Sequence, residues 1–342
     1  MTCEELRQAV RDGGLFARDD SVFARPILVM LSGGRDSTCL LDVAVALLGS
    51  GSVGALHINY GLRGEADADE RHCAALCEQL GVGLEVVRAE RGGEPRDAPG
   101  ASDAPGPAGV EAPAPATGNL HAWARELRYT EARRIAEQRD ALIATGHTAS
   151  DQLETILYRL AASPGRRALL GMVASEGRLI RPLLGFGREQ TASYCRERGL
   201  RWREDDSNDD RRFARARVRH DLVPALRAVH PAAEANVLRT ASLLREETEL
   251  LEALVDDELA GSASIALARL RELPAALARM VIVRLAEDAT GAYVPQAGDR
   301  VREILALAGR GGRAELHVGG QAGAVIDGGR LTMIKLAPRG YS

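Results

Sequence analysis

One stretch constrains this chain more than any other. Ile27-Leu28-Val29-Met30-Leu31 runs directly into Ser32-Gly33-Gly34-Arg35-Asp36-Ser37, after which the apolar spacing is helical to Leu48. A short continuous apolar run bounded by turn residues is the pattern of a strand buried on both faces, as in a parallel sheet. Two glycines let backbone N–H groups approach a ligand closely, and the start of the helix adds positive potential. Strand, glycine turn and helix together predict an anion site, with Ser32 and Ser37 as donors to phosphate oxygens. Asp36 does not suit bare phosphate, so it implies a bridging cation, Mg2+ by preference. The alternative is an ordinary strand-to-helix turn in which Asp36 caps the helix.

The pattern then repeats. Val53–Ile58, Leu84–Arg88 and Ala141–Thr145 read as further strands, with helices at Glu65–Leu80, Asn119–Gln138 and Asp151–Leu160 between and after them. Helices near Arg188–Arg198 and Val218–Leu226 finish this half. Strands alternating with helices predict an α/β fold with a doubly wound parallel sheet. At 342 residues the chain suggests two domains, taking about 150 residues each. The expected boundaries are an N-terminal segment 1–22, a catalytic domain 23–228 and a second domain 229–342, with Pro231 marking the junction. Residues 92–118, dense in Pro, Ala and Gly and without periodicity, read as a disordered insertion within the first domain. The second domain reads as smaller and α+β. A long helix over Ala232–Leu259 and helices near Pro274–Asp288 and Ala297–Ala308 precede a β-meander at Ala314–Val318, Ala324–Asp327 and Leu331–Leu336.

Composition closes off several chemistries. Of 44 basic residues 43 are arginine, and the one lysine, Lys335, falls in the strand-like tail. A phosphate loop with its lysine, a lysine Schiff base and the protein-kinase pattern are therefore excluded. Aromatic residues make up 4%, so the cores must be built from Ala, Leu, Val and Ile. No apolar run reaches about 18 residues, so no membrane span is expected, and Met1–Val10 has no apolar signal core. The five cysteines are scattered and form no C-x-x-C pair. The expectation is a reduced, cytoplasmic enzyme.

Six motifs in order carry a resemblance. Ser32–Ser37 resembles the loop of the pyrophosphate-loop ATPases, which split ATP between the α and β phosphates. The block His57-Ile58-Asn59-Tyr60-Gly61-Leu62-Arg63-Gly64-Glu65 is similar to one of the tRNA(Ile)-lysidine synthetase family. So are Ala124-Arg125 with Arg128-Tyr129, the segment Ala144–Thr155, Arg181-Pro182-Leu183-Leu184, and Trp202–His220. The resemblance covers about residues 25–225 and is weaker beyond. A third domain known in longer members is not seen, so the chain resembles the short form. Three positions depart from the family pattern: Ser150 replaces an Asp, Tyr60 a His and Ala216 an Asn.

The resemblance implies a pyrophosphate-loop type, adenine nucleotide alpha-hydrolase-like fold. It also implies an activity, the conversion of the wobble cytidine of an isoleucine tRNA with a CAU anticodon into lysidine, using ATP, Mg2+ and L-lysine. Ser32, Gly33, Gly34, Arg35, Asp36 and Ser37 would bind ATP. Asp36 and Asp151 would hold the metal and, with Arg128, form the catalytic set. His147, Asp151, Glu154 and Arg219 (or Arg217) would take lysine. Each residue also has a plainer reading. Asp151 and Glu154 fit helix capping, His147 a turn histidine, Arg128 a solvated helix charge, and Arg217 and Arg219 surface charges.

A net charge of −4 argues against a uniformly basic surface, but Arg211, Arg212, Arg215, Arg217 and Arg219 fall within nine residues that hold no acid. This is the expected tRNA-binding stretch. The segment Ser242–Glu258 holds seven acids against one arginine, and a solvated face or a subunit contact, hence a homodimer, both stay open for it. Two rival functions stand beside the lysidine reading: a tRNA thiolase, and a degenerate RNA-binding homologue.

Overall fold

The computed structural model describes residues 1–16, 25–61, 64–89, 120–163, 165–204, 214–309 and 312–337. The expected insertion at 92–118 and Arg211 and Arg212 lie outside them. The chain divides into two compact units, Met1–Ala241 and Ser242–Ser342. The division falls inside one long helix, Ala233–Leu259, that follows Pro231.

The first unit is built on a six-stranded sheet. Its strands are β1 (Ile27–Met30), β2 (Val53–Asn59), β3 (Gly83–Arg88), β4 (Leu142–Ala144), β5 (Ser175–Glu176) and β6 (Leu179–Ile180). The spatial order is β3-β2-β1-β4-β6-β5. All pairings are parallel except the hairpin of β5 with β6 at the edge. Helices α1 (Cys3–Asp12), α2 (Arg35–Leu48), α3 (Ala66–Leu80), α4 (Leu120–Gln138), α5 (Ala149–Ala162), α6 (Arg166–Leu169) and α7 (Arg188–Glu197) accompany the strands. The last part of the unit is helical too, with α8 (Ala214–Arg217), a π-helical turn at Val218–Leu222 and α9 (Val223–Val229) leading to α10 (Ala233–Leu259).

The two-residue period of β1 shows why the sheet is covered twice. Ile27, Val29 and Leu31 pack with Leu6, Leu40, Cys73 and Tyr194 of α1, α2, α3 and α7. Leu28 and Met30 pack with Leu127, Ala132 and Ile135 of α4. Both faces of one strand are buried, as a continuous apolar run requires. The doubly wound parallel sheet is as expected.

Helix α1 lies in the segment that carried no structural expectation. Thr2 caps it: the Glu5 N–H donates to Thr2 Oγ1 at 3.2 Å and the Thr2 N–H to Glu5 Oε2 at 2.7 Å. The helix is tied to the unit through Asp42, which is 2% exposed. Tyr194 Oη donates to Asp42 at 2.6 Å, Arg7 donates to Asp42 at 3.2 Å and to Tyr194 Oη at 2.8 Å, and Arg198 adds two bonds at 3.0 and 3.1 Å. Burial alone would raise the Asp42 pKa, but Arg198, Tyr194 and Arg7 hold it below the usual carboxylate value.

The second unit contains β7 (Ser264–Ala266), α11 (Leu267–Glu272), α12 (Ala275–Thr290), α13 (Val301–Ala308), β8 (Ala314–Gly319), β9 (Ala322–Asp327) and β10 (Arg330–Lys335). Its sheet is antiparallel, in the order β7-β10-β9-β8. The meander of β8, β9 and β10 matches the expectation, and β7 joins its open edge through Ile265 opposite Leu331. The core is aliphatic: Val281, Ile282, Ile304, Val318 and Leu331 are fully buried together. The helix expected over Ala297–Ala308 begins later, because Pro295–Arg300 forms a 3-10 turn. Gly298 lies there so close to α12 that a Cβ would meet the Val283 side chain at 3.1 Å.

Candidate active site

The chain leaves β1 toward one side of the sheet, through α2 to β2, while its other neighbour, β4, leads to the opposite side. Such a switch point opens a crevice at the carboxyl ends of the strands, where open α/β sheets bind ligands. Everything that follows β1 and β4 converges there.

After β1 the backbone turns through Gly33, whose φ of +82° favours glycine. A Cβ on Gly33 would also meet Cys73 Sγ at 3.2 Å and His72 at 3.3 Å. The Arg203 N–H donates to the Gly33 carbonyl at 2.9 Å, so the chain beyond Trp202 is stitched to this loop. Ser37 Oγ donates to the Gly34 carbonyl at 2.9 Å and accepts from the Ser32 N–H at 3.2 Å. With the Gly34 N–H donating to Ser32 Oγ at 3.4 Å, these bonds fix the loop at the start of α2, the end of a helix that carries positive potential.

Asp36 does not cap α2. Gly34 is the N-cap and makes no side-chain bond. The Asp36 carboxylate accepts Thr191 Oγ1 of α7 at 2.5 Å and both prongs of Arg35, at 3.0 and 3.1 Å. Arg35 Nε also reaches Thr191 Oγ1 at 3.1 Å. Arg35 in this state holds Asp36 rather than reaching outward.

After β4 the turn Gly146-His147 sits against the loop. A Cβ on Gly146 would lie 2.9 Å from the Asp36 carbonyl carbon and 2.9 Å from the Ser37 nitrogen. No side chain fits, so this glycine brings the start of α5 onto the start of α2. Thr148 is the N-cap of α5. Asp151, at the third position, takes bonds from the Thr148 N–H and Oγ1, each at 2.8 Å. The helix therefore starts earlier than expected, and the capping pair is Thr148 with Asp151, not Asp151 with Glu154.

Glu154, 7% exposed, forms a two-pronged pair with Arg219 of the π-helical turn, at 2.7 and 3.0 Å. Arg219 also lies 4.0 Å from Asp151 Oδ1. Asp151, Glu154 and Arg219 thus meet, and the latter two are bound to each other. A π-turn within a helix re-aims the residues around it and is frequent at functional sites.

His147 completes the group. Its Nδ1 is 2.8 Å from Thr145 Oγ1. Burial pushes its pKa down from 6.5 to about 4; Asp151 opposes this, while Arg181, Arg128 and Arg125 reinforce it. The imidazole is neutral at pH 7 and stands among three arginines. Arg128 and Arg181 each keep a buried Nε with no partner among the described residues. A guanidinium held partly unsatisfied in a crevice suits an anionic ligand that would complete its bonds. Arg125 and Arg128 flank the Tyr129 ring, their guanidinium carbons 4.8 and 5.5 Å from its centroid.

Of the departures, Tyr60 packs edge-on against Trp123 with ring centroids 6.1 Å apart and donates to the Ala124 carbonyl at 3.1 Å. Ala216 is buried. Arg215 and Arg217 of the expected RNA-binding stretch are exposed.

Mg2+ commonly takes one or two carboxylates together with substrate phosphates. Asp36 and Asp151 supply oxygen donors of that kind, one on each side of the Gly146 contact, so the residues present fit such an ion. Among the described residues no group of three His, Cys, Asp or Glu side chains forms a metal cage.

The sequence model of the PP-loop domain matches residues 6–226. The chain belongs to the PP-loop family. Among curated proteins it is 38% identical to the tRNA(Ile)-lysidine synthase of Pseudomonas fluorescens over 238 residues, 68% of this chain and 48% of that one. It is 35% identical to the tRNA(Ile)-lysidine synthase of Azoarcus sp. over 288 residues, 80% of this chain and 58% of that one. The chain thus spans about half the length of the curated relatives it matches. Among solved structures, the U34-tRNA thiolase NcsA from Methanococcus maripaludis superposes with a TM-score of 0.53 at 17% identity, covering 71% of this chain and 78% of that one. That likeness speaks for the PP-loop fold. Among the described residues no helix is long and apolar enough to cross a membrane.

Thr191 is a residue that motif reading passed over. Arg125 and Arg181 were visible within motifs but had no assigned role. Nothing in the sequence near Thr191 points to Asp36, because the two meet only through the packing of α7 on α2.

Proposed function

We propose that this chain is an ATP-dependent ligase that joins L-lysine to C2 of the wobble cytidine in an isoleucine tRNA with a CAU anticodon. The reading rests on the motifs and relatives above, and on one observation most of all. Gly146 lets the phosphate-binding loop and the helix bearing Asp151 and Glu154 share one crevice, so the activating nucleotide and an amine nucleophile can meet.

In the first step the C2 oxygen of the base attacks the α phosphate of ATP, and pyrophosphate leaves. Charge grows on the phosphates, and preorganised donors lower its cost. Backbone N–H groups around Gly33 and Gly34, the Ser37 hydroxyl and the Arg128 guanidinium supply them. Mg2+ held by Asp36 and Asp151 would neutralise phosphate charge. In the second step the lysine ε-amine bonds to C2, the C2–O bond breaks, and AMP departs.

Lysine carries both charges that Glu154 and Arg219 now satisfy for each other. The reading places an ammonium of lysine against Asp151 and Glu154 and its carboxylate against Arg219, so that binding replaces the internal pair. His147, neutral and fixed by Thr145, offers a hydrogen bond to the amine without repelling it. Thiol chemistry is disfavoured. All five cysteines are buried, and burial pushes Cys3, Cys73 and Cys77 up to about 11, 12 and 11, away from the thiolate.

The test is to incubate the protein with ATP, Mg2+, lysine and the tRNA, and to examine the wobble nucleoside by mass spectrometry. A cytidine heavier by one lysine less one water is expected. Absence of that product from well-folded protein would overturn the reading.

A further inference from the structure

Beyond the crevice, α5 continues into a groove that shares only Arg217 with the roles above. Tyr158, Ala162, Val218, Leu222 and Ala225 line an open apolar hollow of about 510 Å3, with Arg217 and Asp221 in its walls. Tyr158 is 38% exposed and Leu222 is 42% exposed, so both present apolar surface to the hollow. Two elements build the hollow, the end of α5 and the π-helical turn with its flanks. The same two elements form the Glu154–Arg219 pair.

The sequence spacing makes the two places one track. Asp151, Glu154 and Tyr158 stand at i, i+3 and i+7 on α5 and so share a face. From Asp151 to Tyr158 the helix rises about 10 Å, a reach of roughly one or two nucleotides.

Acids lie at the Asp151 and Glu154 end of this track and Asp221 lies in the hollow's wall, while arginines gather around Tyr158. Arg159 follows Tyr158 and donates to the Gly171 carbonyl at 2.5 Å. Its pKa is lowered, first by burial and then by Arg215, Arg181 and Arg125, with Glu176 opposing. Guanidiniums crowded enough to disfavour one another set up a field that a polyanion relieves. A flat apolar wall with an exposed phenol ring, bordered by clustered arginines, is the pairing that single-stranded nucleic acid uses, with bases stacking on aromatic rings and phosphates lying along the basic edge.

We infer that the Tyr158 groove is a subsite for a nucleotide next to the reacting one, whose base stacks on Tyr158 while its phosphates follow Arg215 and Arg217. This rests on the proposed RNA substrate and adds to it the place where the neighbouring base is held. The groove would keep the strand in register, so that only one base at a time enters the crevice.

The test uses the full chain and the tRNA with 2-aminopurine in place of each base flanking the wobble cytidine, one at a time. Stacking on Tyr158 should quench the fluorescence of one of them on binding. Tyr158→Ala should abolish the quenching and weaken tRNA binding roughly 5- to 150-fold. Tyr158→Phe, which keeps the ring, should restore both. ATP binding and thermal melting, followed in parallel, report that the variants are folded. If the unaltered protein binds and modifies tRNA but Tyr158→Ala quenches and binds equally well, the subsite is wrong and the proposed activity stands. If the unaltered protein binds no tRNA, both fall together. If Tyr158→Ala changes the sedimentation of the protein and not its RNA affinity, the groove covers a second copy of the chain, and the inference is overturned.

Discussion

The two units bury different chemistry. Among the described residues the first unit buries Asp42, Glu131, Glu154 and Arg181 along with His57, Asn59 and a set of threonines, while the second buries no charged group and only two polar ones, Thr248 and Thr290. A buried charge costs several kcal/mol unless it is paired, and replacing such pairs by aliphatic side chains is often neutral or stabilising. Stability alone does not explain why the first unit is built this way. Three of its buried charges stand at or behind the candidate site. Glu154 and Arg181 lie beside Asp151 and His147, and Asp42 ties α1 and α7 to α2, the helix that starts at the Ser32–Ser37 loop. The second unit, packed around Val281, Ile304 and Leu331, carries no such burden.

The sharpest way to break this contrast is Asp36→Asn. If charge in the first unit serves chemistry, this variant should fold normally, bind tRNA, and form product roughly 100- to 1000-fold more slowly. Full activity would remove Asp36 from the metal site. Next comes Asp42→Ala, which leaves Arg198, Arg7 and Tyr194 without their shared partner. A loss of about 3–5 kcal/mol in denaturant unfolding is expected for the first unit. A loss below about 1 kcal/mol would mean that the network is slack. In the second unit Leu331→Ala should cost about 2–4 kcal/mol through a cavity and leave ATP binding by the first unit unchanged. A variant that abolished ATP binding would show that the two units are not independent.

The smallest effect concerns pH. His147 is neutral in the fold, its pKa pushed from 6.5 to about 4. Between those values the unfolded chain binds a proton that the folded chain does not, so stability falls as pH falls through that window, by on the order of 3 kcal/mol. The lowered Asp42 pKa acts in the same direction at lower pH. Thermal melts from pH 7 to 4 should show the first unit weakening more steeply than the second, and His147→Gln should flatten the slope. An unchanged slope would discard His147 as its source.

The elements around the crevice were legible in the sequence to different degrees. The β1 run and its glycine turn were plain because burial on both faces leaves an uninterrupted apolar stretch. The pair β5 and β6 was not, since two-residue strands carry no period. Helix α1 does carry a signal, the Thr2 and Glu5 capping pair and apolar residues at Cys3, Leu6 and Val10, but ten residues give the helical period little length to stand out. Within the site, Asp36, His147, Asp151 and Glu154 stand out by motif. Thr191 does not, because its bond to Asp36 arises from two helices packing together. The resemblance put Glu154 and Arg219 in one lysine-binding set, but their direct pairing was hidden, since it depends on how the helix after Ala214 is wound.

That winding has a consequence for how this protein tolerates change in length. Each residue of a helix rotates the next by about 100°, and a π-turn accommodates one residue more than an α-turn does. Val218–Leu222 therefore works as a phase adjuster between α8 and α9. Removing one residue there would close the turn into regular winding with α8 and α9 still in phase, whereas winding all five residues regularly would swing the downstream half by about 100°, separating the Arg219 side from the Leu222 side. The winding of this turn, as much as the identity of its residues, decides whether one arginine faces Glu154 while one leucine faces Tyr158.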